Sequence, residues 1–377
     1  MNAPVITVPQ ANPGAGYTEL KAELDAAVSR ALGSGWFILG AEGRGFEAEF
    51  AAWLGAPRAV GCGNGTDALA LALRGLGVGP GQAVATVSHT AVATVAAIEM
   101  VGATPVLIDI DPAHYTMDPE ELAEVLAHPP AGLPPIAAII VVHLYGQPAD
   151  LPAILALGRR YGIPVIEDCS QAHGATLDGR KVGTFSEVSC FSLYPTKNLG
   201  ALGDAGVIAT GDAALAETLA ALRQYGWKTH YLSDAVGVNS RLDELQAAIL
   251  RVKLTRLDAH NARRQAIAAR YDAAVTAAGL TPPARRAGGS HVFHQYVLRV
   301  DERAALQARL RALGVATGIH YPVPVHLQGA YQGRIALGPA QCRETARAAG
   351  QVMSLPMFPQ LTDVQVEAVA AAIKQAV

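Results

Sequence analysis

The chain is short of charge. Only 16% of its 377 residues are Asp, Glu, Lys or Arg, and the formal net charge is -3. No general field therefore draws in nucleic acid or an acidic membrane. Cysteine is scarce as well: Cys62, Cys169, Cys190 and Cys342 contain no CxxC pair. A zinc site or redox dithiol has no support in that spacing, so no metal is expected. The four thiols read as small buried apolar residues instead. No uninterrupted apolar run reaches the ~18 residues of a membrane span. No basic segment followed by an apolar one opens the chain. A cytoplasmic protein is the expectation.

What the chain has is apolar residues, 51% of the total. That composition belongs to a well-buried globular enzyme rather than a disordered chain. The length exceeds one ordinary core, so two domains are expected. From about residue 17 to 210, strand-like runs alternate with helix-like ones. Residues 84–87, 104–109, 136–143, 164–168 and 188–193 read as strands. They are apolar throughout rather than alternating, as in a parallel sheet covered on both faces. Helical patterns cover 66–75, 90–101, 118–127 and 151–161. The fold class this predicts is α/β with a mostly parallel sheet. After residue 210 the order changes. Residues 213–225 and 241–271 read as helices, the second long or broken. A shorter α+β region follows, with a strand at 294–300 and helices at 303–313 and 364–373. The predicted division is a large α/β domain over 1–250 and a smaller C-terminal α+β domain over 251–377.

Ligands of such sheets collect at the carboxyl ends of the strands. Asp168 and Ser192 lie near two such ends. A buried carboxylate at Asp168 needs a partner, because an unpaired buried charge costs several kcal/mol. A protonated pyridine nitrogen is one such partner; capping the next turn is the alternative. Glu167 faces the other way by strand alternation. Gln171 is placed to donate to a ring hydroxyl, and His173 either joins it or simply packs. Beyond the last of these strands, Tyr194-Pro195-Thr196-Lys197-Asn198-Leu199-Gly200 sets a lysine between flanks that are not surface-like. A lysine amine near a strand-end aspartate suits pyridoxal 5'-phosphate (PLP): the amine forms a Schiff base, and the carboxylate keeps the pyridinium protonated. Gly61-Cys62-Gly63-Asn64-Gly65-Thr66-Asp67 precedes a helical run. Its free N–H groups and the helix start suit a phosphate, although a simple turn capped by Asp67 reads equally well. No P-loop lysine and no dinucleotide fingerprint follow.

Together these blocks resemble the DegT/StrS-type nucleotide-sugar aminotransferases, PLP enzymes of fold type I. Further blocks carry the resemblance: Gly237-Val238-Asn239-Ser240-Arg241-Leu242-Asp243-Glu244, Gly318-Ile319-His320-Tyr321-Pro322, and Ser354-Leu355-Pro356-Met357-Phe358-Pro359. It spans nearly the whole chain. The resemblance implies that Lys197 carries the cofactor, Asp168 faces the ring nitrogen and Gln171 the ring hydroxyl. It also implies that Gly65, Thr66 and Ser192 hold the phosphate. Asn239 would reach the phosphate of a neighbouring subunit, which makes the protein a homodimer with a shared site. Many relatives place an aromatic residue where Ala91 stands, so His89 is the candidate to stack on the ring. Lysine rather than histidine at 197 favours amine transfer over dehydration. Glutamate is the implied donor and a dTDP-linked 3-keto-6-deoxyhexose the implied acceptor. Tyr225, Trp227, His320, Tyr321 and His326 are candidates for the sugar and nucleotide pocket, with core and loop packing as the alternative. A 4-keto-sugar, an inositol-type ketone, a PLP-dependent dehydratase and a PLP protein without turnover are the rival readings.

Overall fold

The computed structural model describes residues 7–377. Five strands open the sequence order: β1 (Arg58–Cys62), β2 (Ala83–Val87), β3 (Thr104–Ile108), β4 (Ile136–Val142) and β5 (Val165–Asp168). A short ribbon of β6 (Thr176–Leu177) and β7 (Arg180–Lys181) precedes β8 (Val188–Ser192) and β9 (Gly206–Thr210). Then come the hairpin β10 (Trp227–Thr229) and β11 (Leu232–Ser233), followed by β12 (Tyr296–Arg299), β13 (Ala336–Leu337) and β14 (Val352–Leu355).

Eight strands form one sheet in the order β1-β9-β8-β5-β4-β2-β3-β13. β9 pairs antiparallel with both neighbours, and the remaining pairings are parallel. The fold is therefore α/β with a mostly parallel sheet, as the continuous apolar runs require. Alternation along each strand sends neighbouring residues into two separate cores. Val87, Val141, Val165 and Phe191 pack on one face with Phe46, Phe50 and Ile154. Val84, Ile140, Ile166 and Cys190 pack on the other with Leu69, Leu73 and Leu219. Each such buried aliphatic side chain contributes about 1.5–3 kcal/mol.

A third core lies in the C-terminal part. Tyr271, Tyr296, Leu310 and Val366 pack there, together with Val8 from the N-terminus. β12 and β14 pair antiparallel beside it. The expected helix over 241–271 is two helices, Glu244–Leu254 and Leu257–Ala277. Leu250, Leu254 and Leu257 still belong to the large core, whereas Ile267 belongs to the third. Residue 250 thus falls inside a helix packed on the large unit. We propose to set the division between Leu257 and Ile267.

Other boundaries differ in instructive ways. The helix expected from residue 90 spans Ala93–Met100, because residues 88–92 form an irregular segment. The helix expected over 213–225 ends at Leu222. The hairpin after it exposes Tyr231 and Leu232, and Val236 just beyond it is 89% accessible.

Candidate functional site

A cavity of about 500 Å³ opens at the carboxyl ends of β5 and β8. Asp168, Gln171, Ser192, Lys197, Gly65 and Thr66 all line it. Residues scattered over more than 130 positions of sequence are thereby brought to one place.

The Lys197 turn is held closely. Its N–H donates to Tyr194 O at 2.8 Å, and Ala201 N donates back to Leu193 O at 2.7 Å. A Cβ on Gly200 would sit 2.6 Å from Pro195 O, so only glycine allows this return. Burial pushes the Lys197 ammonium down to about 8, with Asp168 pulling the other way. The amine is thus partly neutral near physiological pH, as a nucleophile must be.

Asp168 ends β5 almost fully buried. Its Oδ1 accepts from Ser170 N at 3.1 Å, and its Oδ2 from Thr94 Oγ1 at 3.2 Å. Thr90 Oγ1 lies 3.1 Å from Thr94 Oγ1 and extends the chain of hydroxyls. Gln171 Oε1 accepts from Tyr145 N at 2.8 Å. That bond orients the amide so that Nε2 donates to Tyr321 Oη at 3.1 Å. Burial pushes the Tyr321 phenol up to about 12, so it stays protonated. Glu167 points away from the cavity, as alternation predicts. It accepts from Gly183 N, Phe185 N and Ser186 N at 2.7–2.9 Å.

The helix Gly65–Gly75 starts at the cavity wall. Asn64, not Asp67, caps it: Asn64 Oδ1 accepts from Asp67 N at 2.8 Å. Asn64 has the extended backbone that a cap needs, and the Asp67 carboxylate is engaged by Ser240 Oγ at 2.6 Å. A Cβ on Gly65 would lie 2.5 Å from Ser192 Cβ, so the helix start and β8 meet without a side chain between them.

Several expected residues lie elsewhere. His89 does not line the cavity. Its Nε2 is 2.7 Å from Tyr145 Oη, and Ala91 is the residue of that loop that faces the cavity. Burial pushes His89 down to about 4, which leaves it neutral. His173 packs against Phe191, ring centroids 5.5 Å apart, and is neutral for the same reason. His320 Nδ1 meets Ser354 Oγ at 2.8 Å, and His326 Nδ1 meets Ser88 Oγ at 2.7 Å. Neither ring lines the cavity, whereas Tyr321 reaches its rim through Gln171. Tyr225 and Trp227 pair on the exposed hairpin at 5.1 Å, away from the cavity of their own chain. Asn239 is exposed beside Gln224 and is likewise outside that cavity. Thr94, Tyr145 and Ser170 were not singled out by sequence. Thr94 follows Ala91 by three residues, but nothing local links it to Asp168, 74 residues away.

Among the described residues, one buried group has metal-ligand chemistry: His143, Glu167 and Cys169. Two of its three members already bond to protein. His143 Nδ1 accepts from Ala149 N at 3.0 Å and Nε2 meets Glu167 Oε2 at 3.2 Å. Burial raises the Cys169 thiol well above its usual range. No helix among the described residues is long and apolar enough to cross a membrane.

Residues 18–374 match the DegT/DnrJ/EryC1/StrS aminotransferase family. The chain belongs to that family. It is 44% identical to dTDP-3-amino-3,4,6-trideoxy-alpha-D-glucose transaminase of Streptomyces venezuelae, covering 98% of this chain and 96% of the relative. It is 42% identical to the UDP-N-acetyl-3-dehydro-alpha-D-glucosamine 3-aminotransferase of Acidithiobacillus ferrooxidans, covering 98% and 97%. Among solved structures, S. venezuelae DesV in complex with a ketimine intermediate superposes with a TM-score of 0.92 at 44% identity, covering 98% of both chains. This chain is accordingly an aminotransferase.

Proposed function

We propose that this aminotransferase uses PLP to move an amino group from glutamate to carbon 3 of a nucleotide-linked keto-deoxysugar, with dTDP-3-keto-6-deoxyhexose the favoured acceptor. The observation that carries the reading is the amine of Lys197 and the carboxylate of Asp168 lining one cavity. The residues present fit the cofactor. Asp168 is a buried carboxylate whose side-chain hydrogen-bond partners are Thr94 Oγ1 and Ser170 N, and a protonated ring nitrogen would give it a counter-charge. The Gly65 backbone, bare of a Cβ and facing Ser192, is a cradle for a phosphate at a helix start.

When bound, the cofactor supplies an electron-poor ring that accepts the amino group and stabilises negative charge at the substrate carbon. The chain does the rest. Thr94 and the Ser170 N–H hold the Asp168 carboxylate, which would pair with the ring nitrogen. Tyr145 N and Tyr321 Oη fix the Gln171 amide, which would face the ring hydroxyl. Lys197 Nζ, with its lowered affinity for a proton, would take the proton from the nitrogen-bearing substrate carbon and give it back on the far side of that nitrogen. Such proton transfer contributes on the order of 10²–10⁴ in rate. The 3-position is supported by both relatives above, whose names each specify carbon 3.

Tyr225, Trp227 and Asn239 complete the site of a second copy in this reading. The apolar side chains exposed around them, Tyr225, Tyr231, Leu232 and Val236, support it, because a protein surface seldom leaves such a group bare. The protein acts as a cytoplasmic homodimer. The test is spectral. Purified protein should show the long-wavelength band of a lysine-bound pyridoxal ring. Glutamate should bleach it, and dTDP-3-keto-sugars should restore it faster than 4-keto or UDP-linked analogues. Lys197→Ala protein with normal turnover would refute the assignment.

A further inference from the structure

A second cavity, with room for about 70 Å³, lies behind the Lys197 turn. The N-terminal segment near Asn12, the turn itself and the helix Leu257–Ala277 enclose it, and Lys253 and Arg264 line it. Arg264 is only 4% exposed. Its NH1 donates to Phe293 O at 3.0 Å and to Met357 O at 2.9 Å, while its Nε is buried without a hydrogen-bond partner. Lys253 Nζ donates to Gly200 O at 2.6 Å and has no further side-chain partner among the described residues. No Asp or Glu lines the cavity. Among the described residues, neither Lys253 nor Arg264 enters an ion pair, whereas the nearby His260 has Glu19 at 3.3 Å.

Two cations facing one small, half-open space are costly. A buried charge without a counter-charge is penalised by several kcal/mol, and like charges add to that. Lysine escapes by losing its proton, and burial pushes Lys253 down to about 8. Arginine has no such escape. The cavity exceeds the room one water needs and is too small for a sugar or nucleotide.

We propose that this cavity binds a small anion, a halide or a carboxylate, between Arg264 and Lys253. Gly200 O, the acceptor of Lys253, closes the Lys197 turn, and Lys197 lines both this cavity and the cofactor cavity. An anion here therefore steadies the turn and favours the protonated form of the Lys197 amine. The same chemistry has two sources: a free inorganic anion, or a carboxylate of the amino donor if the donor is glutamate as proposed above.

The experiment uses the holoenzyme and sodium bromide. Crystals soaked in bromide should give an anomalous peak between Arg264 and Lys253. In solution at fixed ionic strength, balanced with the bulky sulfonate of sodium HEPES, bromide should raise the melting temperature saturably. Lys253→Met should need at least tenfold more bromide for half the effect. If that variant fails to fold, the diffraction peak in the unaltered protein decides alone. No peak in the cavity, or an unchanged bromide response in a folded Lys253→Met protein, overturns the proposal. Bromide that competes with glutamate names the donor carboxylate as occupant, and bromide indifferent to glutamate names a free anion; either result leaves the site assigned. Because the peak and the melting shift do not depend on turnover, failure of the proposed donor and acceptor would leave them intact.

Discussion

Replacing Lys197 with methionine should stabilise the cofactor-free protein at neutral pH. The reason is its proton affinity, which burial lowers from 10.5 to about 8. Unfolding restores the ordinary value, so between those two pH values the unfolded chain binds more protons than the folded one. Stability of the unaltered protein therefore rises with pH across that window. At about 1.36 kcal/mol per unit, the buried ammonium costs roughly 3 kcal/mol at pH 7. Halving this for solvent reaching a partly buried amine still leaves about 1.5 kcal/mol. Methionine has similar bulk and no proton to lose. The stability gap between variant and parent should be largest at pH 7 and shrink by roughly 1.5–3 kcal/mol on going to pH 10.5. Lys253 titrates in both proteins and cancels from the difference. Urea unfolding of both apoproteins at pH 7, 8.5, 9.5 and 10.5 gives the four gaps needed. A gap that does not change with pH would mean that Lys197 is solvated, and the argument for a depressed nucleophile would fail.

Three further outcomes follow from the site. Gly65→Ala should weaken cofactor binding by an amount worth about 1–3 kcal/mol, since its Cβ would meet Ser192 Cβ at 2.5 Å; Gly65→Ala with Ser192→Gly should recover part of that loss in a double-mutant cycle read by absorbance titration. Thr94→Val removes a hydroxyl donor from the Asp168 carboxylate. A hydrogen bond to a charged group is worth about 1.5–3 kcal/mol, so cofactor affinity should fall by roughly tenfold or more and Thr94→Ser should restore it. Asn239→Ala and Lys197→Ala homodimers should each be inactive or nearly so. Mixed and allowed to exchange subunits, they should regain roughly a quarter of normal activity, because about half the dimers then hold one intact site. Turnover that stays at zero after verified exchange would remove the second subunit from the site.

Much of the large sheet was readable because parallel strands buried on both faces leave plain apolar runs, and β2, β3, β4, β5 and β8 are of that kind. β1 was not readable. Arg58 and Ala59 are exposed and half-buried, and a glycine interrupts the run, so its pattern resembles a loop. The segment before Ala93 looked helical by composition, yet His326 N and Nδ1 both bond Ser88 Oγ and tie its start to the far end of the chain. Sequence reading expected Lys197, Asp168, Gln171, Ser192, Gly65 and Thr66 in one place, and all six line one cavity, because each sits at or shortly after a strand end or at a helix start. It placed His89 there on nearness in sequence alone. Tyr145 and Tyr115, brought by other segments, give that ring a buried partner and an apolar seat instead. The Gln171–Tyr321 bond spans 150 residues and leaves no local trace.

Val8 donates to Gly314 O at 2.9 Å, and its own carbonyl accepts from Ala316 N at 3.0 Å. The stretch around Val8 thus finds its place only against residues some three hundred positions further along. Until those residues are made, the third core lacks one wall. A nascent chain halted before residue 314 should therefore remain open to proteases around Val8, however well the great sheet has already formed.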